Sequence, residues 1–277
     1  MSPTLSPTLS STMGTGARGG DALSSPPMDH GYALFDLDHT LLPHDTQVLF
    51  CNYVLRREGW RRAYLLWFLP CLPLAVLRLL SLRTMKRVFS SYLWGMKRET
   101  LERHIKGFLE SDFDTALYPA VVAEVKRHRA EGRSLILNSA SPEFYLKGIA
   151  AKLGFDHFVG TDMATPATMP FLPVISGPNN KHEAKIVAMR RRGLIPDDVG
   201  ILGNSWAYSD SPADLPLLEI VEHAVMIHPG SRLAATGAER GWRTMTPPRP
   251  YRGKWSGRIA SCAQALGLYQ LPGRENP

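Results

Sequence analysis

Two aspartates, Asp36 and Asp38, close the apolar run YALFDLD, and Thr40 follows at the same spacing. A buried strand normally excludes such groups, because desolvating an unpaired carboxylate is costly. Two carboxylates this close also repel unless a cation or a shared proton relieves them. Phosphoryl transfer uses both remedies. One carboxylate binds a divalent ion and attacks phosphorus, while the other carries a proton to the leaving oxygen. Taken alone, the spacing fits an Asp-rich strand-to-loop turn equally well.

Three later stretches add to the pair. NSAS, Asn138 to Ser141, ends an apolar run beside a helix start, where a hydroxyl and backbone N–H groups would hold a phosphate oxygen. Ser141, before Pro142, reads as a helix cap, which leaves Ser139 as the candidate ligand. KHEAKIVAM carries Lys185 early in a helix, where an inward ammonium would offset the charge of nucleophile and phosphate; Lys181 is the substitute, and a solvated lysine is the bland alternative. YSDSPADLPLL holds Asp210 and Asp214 one helical turn apart, a hard-oxygen arrangement that suits Mg²⁺, although Asp214 also reads as a cap of the following helix.

The elements that must position these residues alternate. YALFDLD, SLILNSAS, FDHFVGTDM, VGILGNS or WAYS, and AVMIHP read as strands. Helices lie over PAVVAEVKRHRAEG, SPEFYLKGIAAKLG, His182 to Arg192 and DLPLLEIVEH, and Pro166 to Pro178 is loop or irregular hairpin. This pattern predicts an α/β fold with a mostly parallel sheet, whose ligands bind at the carboxyl ends of the strands. The helical stretch from Thr46 to about Leu117 is too long for a simple crossover and reads as an inserted cap.

The four pieces in this order resemble the haloacid dehalogenase (HAD) superfamily of phosphohydrolases, over about Tyr32 to Pro229. The insertion between the first two motifs makes the chain similar to subclass IB, which includes phosphoserine phosphatases. The resemblance implies a Rossmann-like core and an aspartyl-phosphate mechanism, with Asp36 as nucleophile and Asp38 as general acid and then base. Thr40, Ser139 and Lys185 would hold the phosphoryl group and its loop. Mg²⁺ would be bound by the Asp36 carboxylate, the Asp38 backbone carbonyl and Asp210, with Asp214 behind them. Two departures stand out: His39 and Ser209 occupy positions where the family commonly has glycine. They motivate an alternative in which the fold is kept as a non-catalytic phospholigand- or membrane-binding module.

The expected division is a disordered leader over 1–29, a catalytic core over 30–45 and 116–235, a helical cap over 46–115, and a basic, proline-rich tail over 236–277 with one short amphipathic helix from Trp255 to Leu268. The formal charge of +7 favours anionic partners. No nucleic-acid motif accompanies it, so the expected partner is a small phosphorylated metabolite or a phospholipid head group. Three cysteines without CxxC spacing suit a reducing compartment, hence a cytoplasmic location.

The cap holds the uncharged stretch AYLLWFLPCLPLAVL, short for a membrane span and flanked by Arg and Lys. Two readings stay open for 60–87: peripheral contact with an anionic membrane, on its cytoplasmic face, or a helix pair packing its apolar faces together. With YLWG and YSDSPADLPLL, this region is similar to phosphatidylglycerophosphatase C, which implies a lipid substrate; the soluble counterpart is phosphoserine.

Overall fold

The computed structural model describes residues 30–198 and 200–271, so the expected leader over 1–29 lies outside the described residues. Strand β1 (Tyr32–Phe35) is followed by the helices α1 (Thr46–Arg57), α2 (Leu65–Val76), α3 (Leu82–Phe89), α4 (Arg98–Glu110), α5 (Asp112–Ala116) and α6 (Pro119–Ala130). Then come β2 (Ser134–Pro142), α7 (Glu143–Leu153), β3 (His157–Thr161), α8 (Glu183–Arg191), β4 (Leu202–Ser209), α9 (Leu215–Glu219) and β5 (Val221–Ile227). The last elements among the described residues are α10 (Ser231–Glu239), β6 (Arg243–Met245) and α11 (Lys254–Ala265).

The strands form one sheet in the order β3-β2-β1-β4-β5-β6, with every pairing parallel. This is a Rossmann-like α/β fold. β1 is central and buried on both faces, which explains its unbroken apolar run. Its side chains alternate between two cores. Ala33 and Phe35 join the layer built with α1, α4, α5 and α7, while Tyr32 and Leu34 join the layer built with α8, α9 and α10. Strand order reverses at β1, between β2 and β4, so the crevice for a ligand opens at the ends of those strands.

Two local expectations change, while β4 takes in both LGNS and WAYS, the segments offered for the fourth strand. DLPLLEIVEH is not one helix: α9 stops at Glu219, and Val221 pairs with Leu202 to start β5. Residues beyond 236 are more than a tail, because β6 pairs with β5 through Val225–Arg243 and Ile227–Met245. Helix α11 packs on α1, and the Tyr64 hydroxyl donates to the Ala265 carbonyl at 2.7 Å.

Helix α2 contains Pro70 and Pro73 and buries none of its residues. Among the described residues, no helix is long and apolar enough to cross a membrane. The basic residues around it largely turn inward. Arg61 bonds Glu58 and the carbonyls of Tyr92 and Trp94, Arg62 bonds the carbonyls of Leu266 and Gly267, and Arg83 and Arg87 bond those of Ile175 and Pro173. The 166–178 loop is thereby clamped to α3.

Candidate active site

A cavity of about 490 Å³ opens at the carboxyl ends of β1, β2 and β4, lined by Asp36, Asp38, Ser141, Lys185, Asp210 and Asp214 among others. β1 delivers the first two. The Asp36 N–H continues the ladder to the Tyr208 carbonyl at 3.0 Å, after which the chain turns sharply, with Leu41 N–H bonding Leu37 O at 2.9 Å. The turn places His39 at φ 60°, a left-handed conformation that favours glycine, so the family's usual residue there has a backbone reason.

Lys185 lies on α8 with 2% of its surface exposed, and its Nζ donates to Asp36 Oδ1 and Asp214 Oδ2, both at 2.7 Å. Thr40 Oγ1 donates to Asp36 Oδ2 at 3.2 Å and accepts from the Asp210 N–H at 3.1 Å, tying the first loop to the last. Asp38 is held separately. Its Oδ1 accepts from the Thr46 N–H at 2.7 Å, at the positive end of α1, and its Oδ2 from Ser141 Oγ at 2.8 Å. Asp214 places no side-chain bond on the end of α9; its carboxylate faces Lys185 and the Ser209 hydroxyl, at 2.7 Å. Ser209 thus adds a hydroxyl donor at its glycine position.

Both serines of NSAS lie at the end of β2 with their hydroxyls turned to Asp38 Oδ2. A register shift between β2 and β3 falls between Asn138 and Pro142 and turns Ser141 into the cavity. Ser139 lies behind it, fully buried, accepting the Ser141 N–H at 3.0 Å and 3.4 Å from Asp38 Oδ2. Ser141 does not cap α7, which starts at Glu143 behind Pro142 with no side-chain cap. Asn180 holds the irregular segment, its amide donating to Asn138 Oδ1, Ser139 O and Val159 O. Asn138 in turn donates to the Lys185 carbonyl at 3.1 Å. The asparagine pair before KHEAK was the available signal. Lys86, on α3, reaches the Ala140 carbonyl and lines the cavity from the inserted side; nothing in its local sequence distinguished it from its basic neighbours.

Burial pushes the Asp36 carboxyl up to about 8; Lys185 opposes this, while Asp214, Asp210 and Asp38 reinforce it. Asp210 is likewise pushed up to about 6 by burial, with His39 opposing. Burial works against the Lys185 ammonium, but Asp36 and Asp214 hold its pKa above the ordinary value. The cavity gathers five carboxyl groups, Asp36, Asp38, Asp45, Asp210 and Asp214, against Lys86, Lys181 and Lys185, an acidic set that fits a divalent cation. Among the described residues no three His, Cys, Asp or Glu side chains are grouped to hold an ion by themselves. Mg²⁺ does not require such a cage, since it commonly takes one or two carboxylates and fills its shell with phosphate oxygens and water.

A family model for haloacid dehalogenase-like hydrolases matches residues 33–219. The chain belongs to this family. The HAD hydrolase is 24% identical over 226 residues to a histidinol-phosphatase of Neisseria meningitidis, covering 76% of this chain and 96% of that one. It is 28% identical over 235 residues to a phosphoserine phosphatase of Mycobacterium tuberculosis, covering 78% and 71%. A Bordetella pertussis protein of unknown function, solved by crystallography, shares the hydrolase's fold with a TM-score of 0.63 at 26% identity, covering 77% of this chain and 97% of that one.

Proposed function

We propose that this HAD hydrolase cleaves phosphomonoesters through an aspartyl-phosphate on Asp36. The observation that carries the reading is the Lys185 ammonium, 2.7 Å from Asp36, in the cavity that also receives Asp38 and Asp210. An Asp36 carboxylate oxygen attacks phosphorus, and the bond from phosphorus to the ester oxygen breaks. Asp38 gives its proton to that oxygen, releasing the alcohol. The Asp38 carboxylate then takes a proton from water as the water oxygen attacks phosphorus, and inorganic phosphate leaves with Asp36 restored. Lys185 and the Ser141 hydroxyl would bind the phosphoryl oxygens, with Ser139 bracing Ser141 from behind, while Thr40 orients Asp36. Asp36, the Asp38 backbone carbonyl and Asp210 would hold Mg²⁺, with Asp214 behind them; when bound, it supplies neutralisation of the phosphoryl charge.

The helices over 46–115 serve as a cap in this reading. Gln47, Val48, Leu82, Lys86 and Phe89 line the cavity on that side, where the leaving alcohol would sit. Both a phosphoserine-like small molecule and a phosphatidylglycerophosphate-like lipid fit this mixture of polar and apolar groups. Purified protein with Mg²⁺ should hydrolyse p-nitrophenyl phosphate, lose activity in excess EDTA and recover it on re-addition of the ion. A metal-replete protein that binds phosphate and turns over no member of a broad phosphomonoester panel would establish the non-catalytic alternative instead.

A further inference from the structure

Helix α2 and the start of α3 form an apolar face without a partner among the described residues. Leu66, Leu69, Leu72 and Val76 on α2 are exposed, and Leu79 and Leu82 continue the surface, with Val76 at 82% and Leu82 at 76%. A helix that is apolar all round is ordinarily buried, and an exposed patch of this kind marks an interaction site. We infer that this face seats on an anionic lipid bilayer and that the substrate is a phosphomonoester lipid drawn from it.

Charge chooses the occupant. From Gly59 to Arg98 the chain has six Arg, two Lys and no Asp or Glu. Their inward bonds do not cancel this charge, because the acceptors are mostly backbone carbonyls; among the described residues only Arg61 of the eight forms a salt bridge, with Glu58. A two-fold contact with a second copy would oppose two such segments across one interface, where like charges repel. An anionic leaflet reverses the sign of that interaction. Twelve residues of α2 extend about 18 Å, short of the roughly 30 Å hydrocarbon layer, so the helix lies in the interface rather than spanning it.

Leu82 links surface to chemistry. It belongs to the exposed face and also lines the cavity that holds Asp36 and Lys185, beside Val48 and Phe89. An apolar rim therefore runs from the proposed lipid contact to the mouth of the site, so a phosphorylated head group could enter while its chains stay in lipid. The surface contact stands by itself; the substrate class rests on the hydrolase reading.

The test is flotation of the full chain with phosphatidylcholine vesicles, with and without phosphatidylglycerol, at low and high salt. Wild type should float with the anionic vesicles only and less at high salt. The double variant Leu66→Glu/Val76→Glu, altered at side chains already in water, should keep its thermal midpoint and lose roughly tenfold or more of the bound fraction. Phosphatidic acid in the same vesicles should be hydrolysed by wild type and much less by the variant, with soluble aryl phosphate as the reference substrate. Failure to float overturns the inference, as does a wild-type dimer in light scattering that the variant converts to monomer. If flotation holds and lipid is untouched while aryl phosphate turns over, the substrate class falls alone. If flotation holds and no phosphomonoester is cleaved, the hydrolase reading falls and the lipid contact stands.

Discussion

Asp36, the proposed nucleophile, lies in a cavity that resists its ionisation. Burial and three neighbouring carboxylates hold it up to about 8, and Asp210 is held up to about 6. Protons therefore compete with the cation at both positions. Mg²⁺ affinity should rise between pH 6 and pH 8, as the ligands deprotonate, and calorimetric titration at several pH values reads this directly. The same shift has a consequence for the metal-free protein. The folded state binds more protons at Asp36 than the unfolded chain between pH 4 and 8, so its contribution to stability falls as pH rises through that window. Asp36→Asn removes the attacking oxygen and should lower kcat by roughly 10³-fold or more, measured with an aryl phosphate. Ser141→Ala removes a bond to Asp38 Oδ2 and should lower kcat by roughly tenfold, because the proposed proton donor loses its orientation.

At the scale of elements, the site depends on the irregular end of β2 being braced from β3. Gly160 lies against this segment. A Cβ there would sit 2.8 Å from the Ser141 carbonyl and 2.9 Å from Leu146. Gly160→Ala should therefore destabilise the fold by about 1–3 kcal/mol, read by urea denaturation, and weaken turnover through Ser141. The motif residues themselves were legible, because Asp36, Asp38, Lys185, Asp210 and Asp214 carry their chemistry at fixed places in an alternating pattern. Ser141 was not, since its direction depends on a register shift that periodicity does not encode. Lys86 reaches the cavity across a tertiary gap, and β6 is only three residues long, two of them exposed. The basic flanks of α2 were visible as charge, but not as bonds to Leu266, Ile175 and Pro173 carbonyls, which depend on where distant loops return.

The whole molecule is closed by its C-terminal segment. The Tyr251 hydroxyl donates to the Pro43 carbonyl at 2.6 Å, Gln264 meets the His44 ring at 2.9 Å, and Asn52 exchanges two hydrogen bonds with the Tyr269 backbone. Pro43 and His44 belong to the loop that leaves the two catalytic-candidate aspartates, so the strap steadies that loop and α1 together. Removal of residues 248–277 should lower the thermal midpoint by several degrees or more, since even about 1 kcal/mol lost at this size shifts the midpoint by roughly 2–4 °C. The pairing of β1 with β4 also sets a timetable. The contact between Thr40 and Asp210 spans 170 residues, so at ordinary rates of translation the acidic loop emerges on the order of ten to thirty seconds before its partner. For most of that interval the nascent chain carries two clustered negative charges beside an apolar strand before Lys185 is made, and β4 follows only at its end. The first and last loops of the cavity can therefore meet only after β4 has left the ribosome.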